Sequence, residues 1–496
     1  SLSSLPVSLC NLPFSPFKMV AASPSLAAAK YQIYDAPFAH QLLNNLVENY
    51  CSFCLRTPNE GRLLKCGGCQ FSKYCDAACQ RKAWSTHKHE CARLKKVFPN
   101  LPMTEVMFLS KVLDRVIFLS KNGDEPGWER ERTFLSLVDH REDIEKDTNK
   151  MEHFEKIIKK MTVFRGDEMV DREFFFNIFC KVSINSHSIH SNAGIEIGMA
   201  LDLGISKYNH CCRPTVAMVF DGIRVFLRPL VPSVSLDDLD NAFISYIDVG
   251  RSRYRRRIDL KTKWFFHCEC SRCMDPDDNR LTALKCMKEG CDGLIMTAED
   301  EEAMDIACPE CGVICDESRV KEGQDLMKRL PPSFDPNCPV ETVQAYLDEG
   351  ISILHPSNVY ITRLQTALLH LKGELDNSLH HASLHKSIYD NYKLCFPKAD
   401  RHLAFSLLKV VTSLIRDGKR KEAVLYAYEA MTILEVCMGL EHPYYLKTLA
   451  LWTFLQNDAP KTDDELISLT IYGDNKPVNI SKLLEFTQPK LQSLTM

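Results

Sequence analysis

Between residues 51 and 91 the chain sets seven cysteines and one histidine at short, paired intervals: Cys51-x2-Cys54, Cys66-x2-Cys69, Cys75-x3-Cys79 and His87-x3-Cys91. Two thiolates with two or three residues between them reach one metal ion from a tight turn, and eight donors suffice for two tetrahedral sites. Gly67 and Gly68 supply the loose backbone that such a knuckle needs. With two close pairs preceding two later ones, an interleaved assignment is expected. Cys51, Cys54, Cys75 and Cys79 hold one zinc, and Cys66, Cys69, His87 and Cys91 hold the other.

Twenty-two cysteines in 496 residues is high usage. Their clustering at metal-ligand spacings argues for zinc in a reducing compartment rather than for secreted disulfides. The formal net charge of −4 gives no whole-chain field for nucleic acid. Basic residues outnumber acidic ones in 51–91, which reads as a solvated face with weak or no DNA binding. No run of about 18 uncharged apolar residues exists to span a membrane.

A second cysteine group closes over a long loop. Tyr208-Asn209-His210-Cys211-Cys212 precedes a strand-like run, Val216 to Phe220, an Asp221-Gly222 turn and a returning strand, Ile223 to Leu227. Further on comes the segment Ala242 to Asp248. An arginine-rich helix follows, with Arg251, Arg253, Arg255, Arg256 and Arg257 expected on a solvated face. Cys268, Cys270 and Cys273 then need a fourth ligand, which Cys212 can supply from far upstream. A third group, Cys286-x4-Cys291 and Cys308-x2-Cys311, resembles a zinc ribbon, with Cys315 as a spare thiol.

Elsewhere the pattern is helical. Phe154, Ile157, Ile158 and Met161 share one face, and helix pairs follow from about residue 335. There Ala404, Leu407, Leu408, Val411 and Leu414 form one stripe. Asp417-Gly418 ends it, and Ala423, Ala427, Ala430 and Leu434 form the next. Pro356, Pro397 and Pro443 follow helical runs at a period that suits tetratricopeptide-like hairpins. Residues 1–29 are rich in Ser, Ala and Pro and carry no acidic residue. They read as an unstructured tail or as replacing an authentic first segment, rather than as a targeting peptide.

Tyr74, Gln80 and Trp84 around the first cluster resemble a MYND zinc finger. NHCC at 209–212, ISYID at 244–248 and CECSRC at 268–273 resemble the cofactor loop, tyrosine strand and post-SET cysteines of SET-domain enzymes. Together, from about residue 37 onward, the chain is similar to the SET and MYND domain family of protein-lysine methyltransferases. The resemblance implies S-adenosylmethionine as cofactor, contacted by Asn209 and His210 partly through backbone atoms. It also implies Asn185 at the cofactor's amino-acid end, Phe266 on its adenine and His140 at a further contact. Tyr246 would be the catalytic tyrosine beside the transferring methyl group. It implies a protein lysine as substrate, histone or non-histone, and proline-containing peptides as partners of the finger, with Tyr74 and Trp84 as a platform. A monomer in cytoplasm and nucleus, with three or four zincs, completes the expectation.

The expected fold is α+β and multidomain. Residues 1–36 form an irregular or spurious leader and 37–50 a remnant of the N-terminal SET strands. The finger spans 51–91, a helical insert 92–195, the β-rich SET core 196–250 and the post-SET zinc region 251–280. A candidate ribbon covers 281–320, and a helical repeat-like domain 335–496. The family pattern places a glycine-rich turn before the finger, and no glycine precedes Gly61. Two readings follow: a methyltransferase whose first strands lie upstream, or a catalytically impaired scaffold that binds protein partners through its finger and helical repeats.

Overall fold

The computed structural model describes residues 31–58, 61–123, 132–191, 194–331, 333–335, 338–372 and 381–471. The tail over 1–29 and the end of the helical domain beyond 471 lie outside the described residues.

The first elements among the described residues are β1 (Gln32–Tyr34) and β2 (Ala39–Leu42), so the segment expected to be an irregular leader contains a strand. The finger contains β3 (Leu64–Lys65), β4 (Lys73–Tyr74) and α1 (Ala77–Val97), whose start is capped by the Asp76 carboxylate accepting from the Cys79 amide. A helical block follows: α2 (Thr104–Asn122), α3 (Arg141–Lys146), α4 (Thr148–Arg165) and α5 (Arg172–Asn185). Phe154, Ile157 and Met161 on α4 are buried as their spacing requires, with Ile158 at the margin of the same face.

The insert does not stay helical to residue 195. β5 (Ser186–His190) begins directly after α5 and pairs with β6 (Glu196–Leu201), which also pairs with β2, giving the order β2-β6-β5. Alternation in Ser-His-Ser-Ile-His is too weak to separate strand from helix by period alone. A second antiparallel sheet, β1-β8-β7, joins β7 (Val216–Asp221) to β8 (Arg224–Pro229) and adds β1 at the edge, with Ile33 opposite Phe226. The turn between β7 and β8 docks on the finger. The Ile223 amide donates to the Cys54 carbonyl oxygen at 3.2 Å. Gly222 has φ +62°, and a Cβ there would meet that oxygen at 2.0 Å, so only glycine fits.

Residues 242–248 form no regular strand. One bridge, His210 to Ile244, ties an otherwise irregular extended segment to the 209–212 loop. After α6 (Arg253–Trp264) and the short α7 (Ser271–Met274) come two hairpins, β9 (Leu284–Lys285) with β10 (Leu294–Ile295) and β11 (Ile306–Ala307) with β12 (Ile314–Cys315). The first helix after them, α8 (Glu317–Arg329), starts inside the interval expected for the ribbon.

The remaining helices are α9 (Val340–Ile353), α10 (Val359–Lys372), α11 (His381–Cys395), α12 (Arg401–Arg416), α13 (Arg420–Cys437), α14 (Pro443–Gln456) and α15 (Asp463–Ser468). From α9 to α14 each packs on its neighbour in sequence. All nine stripe residues predicted on α12 and α13 are buried. No helix among the described residues is long and apolar enough to cross a membrane.

One core joins both sheets, the finger and the helical block; a second joins the ribbon hairpins to the C-terminal helices. The seam between them is polar and buried. Arg272, 1% exposed, donates through Nη1 to the carbonyl oxygens of Cys212, Val249 and Cys395, and through Nε to Asp278. Arg256, 0% exposed, meets the other Asp278 oxygen at 2.6 Å. The arginine run is therefore not a solvated face. Composition shows a charge run but not the carboxylate waiting some twenty residues later.

Candidate metal centres and cofactor cleft

Four groups of donor atoms converge, each with its ligand atoms within 4.8 Å of one another. They are Cys51, Cys54, Cys75 and Cys79; Cys66, Cys69, His87 and Cys91; Cys212, Cys268, Cys270 and Cys273; and Cys286, Cys291, Cys308 and Cys311. The closest sulfur pairs span 3.5 Å (Cys212 to Cys273, Cys286 to Cys311) to 4.0 Å (Cys212 to Cys268). That is too long for a disulfide. It matches the edge of about 3.8 Å that a tetrahedron with Zn–S bonds of about 2.3 Å has. The donor sets fit Zn²⁺, and the first two follow the interleaved assignment.

Local structure explains each convergence. His87 and Cys91 are four apart on α1 and so share a face. A Cβ on Gly68 would meet Cys91 Sγ at 2.8 Å, so the knuckle needs glycine there. His87 turns Nε2 toward Cys69 Sγ at 3.6 Å, while Nδ1 meets the buried Glu90 carboxylate at 2.9 Å. Such a carboxylate fixes the tautomer and raises ligand basicity. Glu90 drew no attention in the sequence beyond its charge. The proposed aromatic platform divides: Tyr74 is buried edge-on to His87, and Trp84 is half exposed.

A cleft of about 1070 Å³ opens between the two sheets, α6 and the start of α12. Its walls include His140, Asn185, Asn209, Tyr246 and Phe266, five positions singled out in the sequence. Asn185 Nδ2 donates to the Val138 and Lys181 carbonyls, both at 2.7 Å, leaving Oδ1 free for a ligand. His140 takes a left-handed backbone, φ +46°, with Nδ1 3.0 Å from Asp143 and its ring 5.7 Å from Phe265.

The His210 side chain stands apart from these five. Its Nδ1 accepts from the Tyr246 amide at 3.1 Å, so the neutral ring carries its proton on Nε2, which faces Cys212 Sγ at 3.3 Å. Burial pushes this imidazole down to about 4, keeping it neutral. It ties the tyrosine segment to the cysteine group and is not among the cleft-lining residues.

Tyr246 donates its hydroxyl to the Tyr208 carbonyl at 2.6 Å, and burial pushes the phenol up to about 12. Its ring lies 5.0 Å from Trp264, whose Nε1 donates to the Ile184 carbonyl at 2.9 Å. Trp264 had no motif to mark it, and neither did Arg132, which lines the same cleft with a buried Nε lacking a partner among the described residues.

A MYND finger model matches residues 51–91. Histone-lysine N-methyltransferase ASHR1 of Arabidopsis thaliana is 24% identical over 425 residues, covering 81% of this chain and 85% of its own length. Histone-lysine N-methyltransferase SMYD3 of Mus musculus is 26% identical over 422 residues, 82% of this chain and 87% of its own. The chain is similar to SET and MYND domain proteins over most of its length. A further relative, SET domain-containing protein 14 of Caenorhabditis elegans, is 32% identical over 262 residues, 51% of this chain and 58% of its own.

The first two of these relatives are named histone-lysine N-methyltransferases. Its finger and further cysteine groups carry donor sets for zinc.

Proposed function

We propose that this SET and MYND domain protein is an S-adenosylmethionine-dependent protein-lysine N-methyltransferase acting on histone or non-histone proteins. The observation that carries the reading is the cleft. It gathers His140, Asn185, Asn209, Tyr246 and Phe266 from separate segments, and the Cys212 group pins two of those segments together. The domain reading follows from it: a SET core from both sheets, interrupted by finger and helical insert, then a post-SET zinc region, a ribbon and tetratricopeptide-like helices. The half-exposed Trp84 is the remaining candidate contact for proline-containing peptides. The chain acts as a monomer in cytoplasm and nucleus, with little affinity for DNA.

The donor supplies an electrophilic methyl group on a sulfonium. Asn209, exposed to the cleft, and the Oδ1 of Asn185 hold polar ends of such a ligand; Phe266 offers a flat apolar face for its base. Because the Tyr246 proton is committed to the Tyr208 carbonyl, its oxygen keeps lone pairs for C–H···O contacts, each about 0.5–1 kcal/mol. The enclosed walls favour a neutral amine over an ammonium and fix its approach.

The test is transfer of a labelled methyl group from S-adenosylmethionine to core histones and to a whole-cell protein extract, with hydrolysis to identify methyl-lysine. Labelled methyl-lysine that falls about three- to tenfold with Tyr246→Phe supports the enzyme. Its absence from both substrates leaves an interaction scaffold.

A further inference from the structure

One cation in the cleft lacks a counter-charge. Arg132 lines it together with His140, Asn185 and Tyr246. The side chain is half-buried, and its enclosed Nε has no hydrogen-bond partner among the described residues. The two Nη atoms are neither enclosed nor partnered among those residues, so that end of the side chain is accessible. No carboxylate acts on the guanidinium. Each acid that lines the cleft is engaged elsewhere: Glu196 with the Ser188 hydroxyl at 2.9 Å, Asp248 with Arg363 at 2.9 Å and Asp400 with His402 at 2.7 Å. The acids nearby in sequence are engaged too, Asp139 with Lys181 and Asp143 with His140. Other enclosed guanidiniums of the chain do meet an acid: Arg93 meets Asp114, and Arg256 and Arg272 meet Asp278. A partly desolvated cation left unpaired is costly, so Arg132 calls for an anion.

The backbone that follows Arg132 fixes its place. Lys181 on α5 donates to the carbonyls of Leu135 and Leu137, at 3.1 and 2.6 Å, and Asn185 donates to that of Val138 at 2.7 Å. The segment that carries the arginine is thus clamped to the end of α5, the same end that presents the free Oδ1 of Asn185. Burial pulls the guanidinium below its ordinary range, and the Tyr246 phenol is the one group that opposes this. The cation therefore sits within electrostatic reach of the tyrosine, on the Asn185 side of the cleft.

We infer that Arg132 binds the α-carboxylate of the methyl donor, its guanidinium supplying the cation for the donor's amino-acid end. This role rests on the methyltransferase reading of the cleft. The amino-acid end is a zwitterion and needs two partners. Asn185 Oδ1 can accept from the ammonium. The carboxylate needs a charged donor, which neither Asn185 nor Asn209 is. The adenosine carries no anion and the substrate amine carries none, so the carboxylate is the one negative group that donor and amine bring to the cleft. A guanidinium presents parallel N–H groups that match a carboxylate, which gives direction as well as charge. The consequence is selectivity among donors. A site built around a carboxylate rejects the analogue that lacks it, because the arginine is then left unpaired.

The experiment is calorimetric titration of the full zinc-loaded chain with S-adenosylmethionine and, separately, with its decarboxylated form, which lacks that one group. The wild type is expected to prefer the intact donor at least about tenfold. Arg132→Gln is expected to lose the preference through weaker binding of the intact donor alone, with affinity for the decarboxylated form no lower than before. Arg132→Lys keeps the charge and is expected to keep part of the preference. A preference that survives Arg132→Gln overturns the inference. So does an equal loss for both donors in that variant, which would assign the arginine to the fold. A wild type that binds both donors alike removes the inference and leaves the methyltransferase reading standing. A wild type that binds neither removes that reading itself.

Discussion

The sulfur of Cys212 lies 3.5 Å from that of Cys273, across sixty-one residues of chain. One ion at this point joins the loop before β7 to the segment after α6, and His210, two residues away, carries the link to Tyr246. Cys212→Ser is expected to cost one zinc per chain, from four to three by elemental analysis, and to weaken S-adenosylmethionine binding at least about tenfold. Cys291→Ser, in the ribbon, is expected to cost one zinc as well, with donor affinity unchanged. Equal effects of the two variants on donor affinity would contradict the link.

Glu90 sets the tautomer of His87 from within the finger core. Glu90→Gln keeps the shape but loses the charge. The chain is expected to release one zinc at about ten- to a hundredfold lower chelator concentration. A chelation curve that does not move would reduce Glu90 to a packing residue.

Asp278 is 4% exposed and binds two buried arginines, Arg256 and Arg272. Asp278→Asn leaves Arg256 and Arg272 without the carboxylate they share. The expected loss is about 3–5 kcal/mol, read from denaturant unfolding. Its consequence is local as well as global. Arg272 bonds to Cys212, Val249 and Cys395, so protease sensitivity should rise first near residues 395–400.

Burial holds His40 down to about 3, and His187 and His442 down to about 4, from an ordinary 6.5. Between those values the unfolded chain takes up protons that the folded chain refuses. Stability from this source is therefore complete above pH 6.5 and falls as pH drops from 6.5 toward 4. His442 also caps α14, and His442→Asn keeps a capping side chain without a titrating ring. The slope of stability between pH 6.5 and 4 should flatten in that variant; an unchanged slope would contradict the assignment.

What the chain revealed before folding was local chemistry. Ligand spacing within a knuckle depends on a few residues, so the finger and the trio at 268–273 were legible, and Cys212 followed from the arithmetic of four ligands. The stripes on α12 and α13 were legible because helical period and burial coincide. Failures came where meaning depends on a distant partner. Arg256 reads as solvated until Asp278 is placed beside it. Tyr74 and Trp84 look alike in sequence, and only packing assigns one to the core and one to the surface. Residues 244–248 resemble a family strand, but a single bridge at Ile244 is all the ladder they find. Trp264 carries no motif, since its place arises from a wall that forms only when α6 meets the end of α5 and β5.

The most direct test of the account is calorimetric titration of S-adenosylmethionine into the zinc-loaded chain and into its Asn209→Ala variant. Saturable one-to-one binding, weakened about tenfold by the substitution, is the predicted result. A zinc-loaded, folded chain that gives no saturable heat would contradict the account.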